Sequence, residues 1–196
     1  MSNPDPQPYV RWRPRMVRES VLEDLRSVLE EQGWWTPAEN EAPYGFMHGH
    51  PLILTEAWPE EAEYQGEKIA QNTFAVDQGV PGEPHYLGMG GGPMGRDYLF
   101  TFAFYAVNDA TASALFQDLS DRYFGRRTKP TSGNPVRYPQ VIPLYDYAKE
   151  PAELVVDMDI ESFRFNRSVD QIAPGFDLYF AELVVMDYID DESEGE

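Results

Sequence analysis

The chain of 196 residues is long enough to bury a core, and its 42% hydrophobic and 14% aromatic content argues against a disordered protein. A formal net charge of −19 argues against sequence-independent binding along nucleic acid, because phosphate contacts need clustered lysine and arginine. The lack of cysteine excludes disulfides, thiolate catalysis and cysteine-based zinc sites, and the sequence shows neither an apolar run of about 20 residues that could span a membrane nor the apolar middle of a signal peptide.

The N-terminal part of the chain predicts an extended arm followed by a helix. Residues 1–14 are rich in proline, and the aromatic Tyr9 and Trp12 indicate an arm that docks either on its own domain or on a neighbouring subunit. A helix is predicted over Arg15–Gln32 because its apolar residues recur at helical spacing and Gly33 follows as a stop signal. This apolar stripe consists of Val17, Val21, Leu22, Leu25, Val28 and Leu29.

Strands and glycine dominate the region that follows. Pro51–Trp58 is a short β-like run, and the mixed alternation of Glu67–Gln78 predicts another strand. The composition of Gly79–Gly95 predicts a loop. Its glycines, Gly88–Gly95, lead into a strand rather than a helix N-terminus, so a flexible loop is favoured over a phosphate-binding one.

The segment Asp97–Gly125 carries the clearest structural pattern. Its first half, through Val107, is a run of aromatic and β-branched residues that predicts an unusually long strand. Asn108 and Asp109 then cap a predicted amphipathic helix, which Gly125 closes. The apolar positions of this helix are Ala112, Leu115, Phe116, Leu119 and Tyr123.

Three more strands are predicted in the C-terminal part. Pro139–Tyr147 is apolar but contains two prolines, so it should lie at an edge of the sheet. Glu153–Asn166 alternates well, and Phe176–Ile189 is another long strand. Residues 190–196 predict a disordered acidic tail. The whole order predicts a single α+β domain over residues 15–189, with a mostly antiparallel sheet and two main helices packed on one face.

Candidate metal ligands occur at two places. His48 and His50 form an H-x-H pair suited to zinc or iron, although the surrounding turn favours surface histidines. Asp157, Asp159 and Glu161 alternate along one strand and could join them in a metal-dependent hydrolase. Such alternation of charge is also typical of a half-exposed strand, which is the favoured interpretation. We therefore predict no catalytic residues, no metal and no cofactor.

The basic residues of this acidic chain are concentrated in two segments. They are Arg11, Arg13, Arg15 and Arg18 in the first, and Arg122, Arg126, Arg127, Lys129 and Arg137 in the second. One interpretation is ordinary salt bridging within the chain. The other is that the basic patch of one subunit meets the acidic face of the next, an arrangement that favours head-to-tail rings.

The order of the elements resembles that of the tail terminator proteins of long-tailed (siphovirus-like) bacteriophages. In both, a helix precedes a β region, a long strand runs straight into a helix, and further strands follow. The pieces that carry the resemblance are Val17–Gln32, Asp97–Val107 with Ala110–Phe124, Pro139–Tyr147, Glu153–Phe165 and Phe176–Ile189. The resemblance spans most of the chain and includes no diagnostic short motif.

This resemblance implies a non-enzymatic assembly protein in the tail or neck of a virion, assembled in the host cytoplasm without a membrane. Such proteins form a hexameric ring that caps the tail tube and joins the head connector, and DNA passes through without specific binding. The expected partners are therefore further copies of the chain, the tail tube protein and head–tail connector proteins; a head–tail connector or head-completion protein is the alternative. From aromatic character, flexibility and charge, the expected interface residues are Tyr9, Trp12, Arg13, Gly90, Gly91, Arg96, Arg126, Arg127 and Lys129.

Overall fold

The computed structural model describes residues 8–35, 44–47, 50–55, 63–64, 67–68, 72–76, 79–87, 94–106, 109–124, 140–173 and 176–189. These residues form the helices α1 (Pro8–Glu31) and α2 (Asp109–Tyr123). They also form the strands β1 (Tyr44–Met47), β2 (His50–Thr55), β3 (Glu63–Tyr64), β4 (Glu67–Lys68), β5 (Asn72–Val76), β6 (Val80–Pro81), β7 (His85–Tyr86), β8 (Met94–Ala106), β9 (Val141–Asp146), β10 (Glu153–Ala173) and β11 (Phe176–Ile189).

Most of the strands belong to one sheet, with the order β1-β2-β5-β8-β11-β10-β9, and β6 and β7 pair with β8 beside this path. Strands β3 and β4 pair separately. Among the described strand pairs, only β2 and β5 run parallel. Two helices with a mostly antiparallel sheet confirm the predicted α+β class. The predicted edge position of β9 is also confirmed.

The core lies between the two helices and one face of the sheet. Successive side chains of a strand point to opposite faces, and the even-numbered aromatic residues of β8 are all buried on the helix side. They pack in one cluster with the apolar stripe of α1, the apolar positions of α2 and Tyr179, Ala181, Leu183 and Val185 of β11. Arg122 of α2 donates a hydrogen bond to Asp24 of α1, and Trp34, three residues after α1, donates one from Nε1 to Asp118 Oδ2 of α2 at 2.6 Å.

The start of α1 differs from the prediction. The helix begins at Pro8, so residues 8–14 are helical where we predicted an extended arm, and residues 1–7 lie outside the described part. Proline is well tolerated in the first turn of a helix, where its missing N–H has no partner to lose. Pro14 lies further inside α1. The neighbouring Arg13 bonds to β11, and this tertiary contact helps to hold the turns on both sides of Pro14.

The predicted loop Gly79–Gly95 is partly a strand. After β5, the chain continues along the same edge of β8 as β6 and β7, and Gly95 itself belongs to β8. Gly79 makes the passage from β5 to β6 with φ +76°, in the left-handed region that favours glycine. A Cβ at this position would lie 2.6 Å from Phe100 Cε1, so the close approach also requires glycine.

Candidate assembly interface

The second face of the sheet is built by the odd-numbered residues of β8 and the even-numbered residues of β11. At its far end it carries a small buried cluster of Ala75, Ala103 and Leu178. Towards the start of β8 the same face is exposed. We call this region the open face; it comprises Asp97, Leu99 and Thr101 together with their partners on the neighbouring strands.

A row of apolar side chains crosses the open face. Val80 on β6 lies directly opposite Leu99 on β8, and Leu99 lies opposite Val184 on β11. Residues directly opposite each other in antiparallel strands point to the same side, so the three side chains are neighbours. Val80 is 59% exposed and Leu99 is 37% exposed, whereas Val184 is half-buried.

Leu87 and Met186 extend this row towards the start of β8. Both side chains approach Gly95: a Cβ at this position would lie 3.0 Å from Leu87 Cδ2 and 3.2 Å from Met186 Sδ. Leu87 remains 38% exposed. We call the five residues Val80, Leu87, Leu99, Val184 and Met186 the apolar patch. Contiguous apolar side chains exposed on one face are typical of interaction surfaces, whereas single exposed apolar residues are common on any protein.

Carboxylates lie next to residues of the apolar patch. Asp97 on β8 and Asp159 on β10 both lie opposite Met186, one on each side of β11. Asp97 Oδ1 is buried and has no hydrogen-bond partner among the described residues. Two rows further along, beyond Val184, Glu182 lies between Thr101 and Arg164.

Asp159 also accepts a hydrogen bond from the hydroxyl of Tyr188. This hydrogen bond to a carboxylate favours the protonated phenol and, with a smaller contribution from burial, raises the pKa of Tyr188 to about 12. The bond fixes the position of the carboxylate at the rim of the apolar patch.

The candidate carboxylates on β10, which the sequence analysis weighed as metal ligands, form no metal site with other described residues. Asp157 and Asp159 occupy alternate positions, but the pairing of β10 with β11 shifts between Ile160 and Ser162, where Glu161 lies. This irregularity interrupts the regular alternation of Asp157, Asp159 and Glu161 in the sequence. Among the described residues, no group of three or more histidine, aspartate or glutamate side chains could hold a metal ion. His48 and the side chain of His50 lie outside the described part.

The structure gives Arg13 a role within the chain. Its guanidinium donates two hydrogen bonds to the carboxylate of Asp187, at 2.6 and 2.7 Å, and a third to the backbone oxygen of Tyr188 at 2.9 Å. Asp187 is fully buried. Arg96 lies opposite Asp187 on the helix side of the sheet, and its Nε is buried without a hydrogen-bond partner among the described residues. Neither arginine therefore belongs to the open face.

The salt-bridge interpretation of the basic residues holds for three arginines. Arg15 pairs with Glu19 on the surface, Arg13 pairs with Asp187, and Arg122 pairs with Asp24 between the helices. Burial raises the pKa of Asp24, and the Arg122 guanidinium opposes this shift. The remaining interface predictions are not described: Gly90, Gly91, Arg126, Arg127 and Lys129 lie outside the described residues, as do the side chains of Tyr9 and Trp12.

The described residues nevertheless fix the two ends of the second basic segment. Phe124 directly follows α2, and Gln140 directly precedes β9. Gln140 Nε2 donates a hydrogen bond to the Phe124 oxygen at 3.0 Å, and the Gln140 oxygen accepts one from Ile160 N at 2.9 Å. The segment of residues 125–139 therefore leaves and re-enters the fold at one point, beside β10.

The apolar patch was not predicted from the sequence, although part of the pattern that marks it is present there. In β8 the large aromatic residues occupy even positions, and Leu99 and Thr101 stand between them, which marks two different faces. The pairing of β6 with β8 and the position of Leu87 have no comparable local signal. Within the described residues, no helix is long and apolar enough to cross a membrane.

No protein-family model matches the sequence, and a comparison with curated proteins gave no match. Among solved structures, this chain is similar to a chain in the virion of a native gene transfer agent (GTA) particle, with 15% sequence identity. The similarity covers 69% of this chain and 76% of that chain, with a TM-score of 0.31. A likeness at this TM-score establishes neither a shared fold nor a shared function.

Proposed function

We propose that the protein is a non-enzymatic structural component of a phage-like virion, and specifically a tail terminator. In this role, several copies form a ring, with six as the expected number, that caps the tail tube and joins it to the head connector. The observation that carries this proposal is the apolar patch on the open face, since a surface of this kind is suited to contact with another protein. The order of the elements along the sequence supports the specific role.

The charge of the protein fits a passive position around DNA. The net charge of −19 and the carboxylates of the open face repel phosphate groups, so DNA can pass without being held. Specific binding would need clustered cations facing the duplex, and the described arginines Arg13, Arg15 and Arg122 are all engaged in ion pairs within the chain.

The oligomeric state tests the proposal directly. We expect sedimentation velocity and native mass spectrometry of the purified protein to give a closed oligomer, and negative-stain micrographs to show rings with a central opening. A protein that stays monomeric throughout the concentration range of these measurements would contradict a ring-forming role.

A head–tail connector or head-completion protein is the alternative within the same class, because it also forms a ring. Binding to isolated tails and to DNA-filled heads separates the two roles. A terminator should bind the end of a purified tail tube and prevent its further growth, whereas a connector should bind heads that lack tails. Binding to heads alone would exclude the terminator role.

A metal-dependent hydrolase that uses His48, His50 and the β10 carboxylates is the rival from another class. Equilibrium dialysis of the purified protein against Zn²⁺ or Mn²⁺, followed by elemental analysis, tests it. Stoichiometric metal that is lost on replacement of His48 and His50 by alanine would support the hydrolase. A closed oligomer without stoichiometric metal would support the structural role.

A further inference from the structure

We propose that the open face receives the basic segment of residues 125–139 from a second copy of the chain. This inference rests on the proposed ring and adds the contact that would build it: the apolar patch with its bordering carboxylates on one copy, and the cations of the segment on the next. Each copy would then carry one acceptor surface and one donor segment.

The charges of the open face select a cationic occupant. Three carboxylates, Asp97, Asp159 and Glu182, lie next to the apolar patch. Their described partners on neighbouring strands include one basic residue, Arg164.

The same charges disfavour contact between two open faces. A two-fold pairing of this surface would place the carboxylates of one copy against those of the other, and opposed like charges destabilise an interface. The apolar patch therefore needs a partner surface of a different kind. A contact between two different surfaces of identical subunits is head-to-tail, and such contacts close into rings when the rotation allows it.

The segment of residues 125–139 has the composition that this surface requires. Its sequence, GRRTKPTSGNPVRYP, contains no acidic residue. Its cations are Arg126, Arg127, Lys129 and Arg137. It also contains Val136 and Tyr138, which could contact the apolar patch. The first basic segment, Arg11 to Arg18, also contains no acidic residue, but its Arg13 and Arg15 are paired with Asp187 and Glu19 of the same chain.

The segment of residues 125–139, the donor of the proposed contact, is anchored to the fold at both ends. Both ends are held at one point, by the hydrogen bond between Gln140 and Phe124 and by the bond from Ile160 N to the Gln140 oxygen. This point lies at the β9–β10 side of the sheet, whereas Val80 lies on β6, beyond β11 and β8. The segment is therefore anchored at the Asp159 side of the open face, and Val80 lies at the opposite side.

Two variants test the proposal, and each of them alters only one side of the contact. The donor variant carries Arg126→Glu, Arg127→Glu and Lys129→Glu, and the acceptor variant carries Asp97→Lys and Asp159→Lys. We expect each to lose the closed oligomer, with Kd for association raised about 10- to 100-fold, since several exposed charge pairs become repulsive. A control with Glu30→Lys and Glu150→Lys makes the same change in charge as the acceptor variant at exposed positions elsewhere, and it should assemble as the unaltered protein does.

Mixing the two variants gives the sharpest outcome. The intact segment of the acceptor variant can dock on the intact open face of the donor variant, and the Glu residues of the donor variant's segment meet the Lys residues of the acceptor variant's open face, so both contacts are attractive. We therefore expect the mixture to restore a closed oligomer in which the two variants alternate, measured by native mass spectrometry, although neither variant assembles alone. If the segment instead docks on the open face of its own subunit, the mixture stays monomeric, and the proposal is overturned.

A second acceptor variant distinguishes loss of the contact from loss of folding. Val80→Ser with Leu99→Ser alters two exposed side chains and leaves the carboxylates in place, so circular dichroism should be unchanged while association weakens. Rings that form normally from the donor variant and both acceptor variants would overturn this contact and leave the proposed ring standing. A monomeric unaltered protein would overturn both. If the donor substitutions abolish binding to duplex DNA but not assembly, the segment contacts nucleic acid, and the proposal fails.

Discussion

Replacement of Gly79 by alanine should destabilise the protein strongly, for two separable reasons. The first is the backbone, because φ at Gly79 is +76° and an L-residue in this region costs about 1–2 kcal/mol. The second is steric. The added Cβ would lie 2.6 Å from Cε1 and 2.7 Å from Cζ of Phe100.

The ring of Phe100 has little freedom to move away. Its side chain is fully buried and belongs to the core between the sheet and the two helices. Forcing an extra carbon into a packed core typically costs about 1–3 kcal/mol. The sum predicts that Gly79→Ala lowers the free energy of unfolding by about 2–5 kcal/mol.

Gly33 provides a matched control for the backbone contribution. Its φ is +74°, but a Cβ there would have no neighbour within 4 Å. Gly33→Ala should therefore cost only the backbone contribution of about 1–2 kcal/mol. In the double variant Gly79→Ala/Phe100→Leu, the smaller side chain should remove most of the steric contribution, which a double-mutant cycle measures.

Urea unfolding followed by circular dichroism and tryptophan fluorescence gives the required free energies, provided that the two probes agree. Equal losses for Gly79→Ala and Gly33→Ala, or additive effects of Gly79→Ala and Phe100→Leu, would refute the argument that the alanine Cβ collides with Phe100.

Two further predictions concern ionisable groups. Arg13→Met should lower the free energy of unfolding by about 3–5 kcal/mol, because Asp187 stays buried without its bidentate partner, whereas Arg13→Met/Asp187→Leu should recover most of this loss in the same urea assay. A single variant as stable as the unaltered protein would contradict this. Asp159→Asn should lower the pKa of Tyr188 from about 12 towards its ordinary value, measured as the ultraviolet phenolate titration that Tyr188→Phe removes. Since the raised pKa favours the protonated phenol in the folded state, this stabilisation is complete below about pH 10 and is lost as the pH rises from about 10 towards 12. An unchanged titration in Asp159→Asn would show that the hydrogen bond is not the cause.

The regular elements could be predicted because their signals are local. The bounds of β11 agree with the predicted strand Phe176–Ile189, since its residues favour a pleated, half-buried surface along their whole length. The edge position of β9 followed from its prolines, which cannot donate to a ladder. In the structure Pro143 is part of β9, and the backbone N–H of Tyr145 bonds to the hydroxyl of Ser20 instead of a further strand.

The errors arose where distant residues decide the local structure. Residues 8–14 contain two prolines and gave no helix signal, yet the partner of Arg13 is Asp187, 174 positions away in sequence. The short strands β6 and β7 exist because β8 continues past the end of β5 and offers a free edge. Neither β6 nor β7 is longer than two residues, so neither has a period that a sequence could reveal.

Which face of the sheet stays open depends on the face against which the two helices pack. In β8 the even positions hold Phe100, Phe102 and Phe104, and these large rings bury more apolar area than Leu99 and Thr101 can. The helices therefore pack on the aromatic side and leave the weaker apolar face exposed. A chain of net charge −19 repels its own copies at long range, so an exposed apolar row on such a chain does not lead to indiscriminate aggregation. Association then requires a local positive charge that overcomes this repulsion. In the proposed contact, the excess of acidic residues and the basic segment of residues 125–139 would act together: the first suppresses most contacts between copies, and the second permits one.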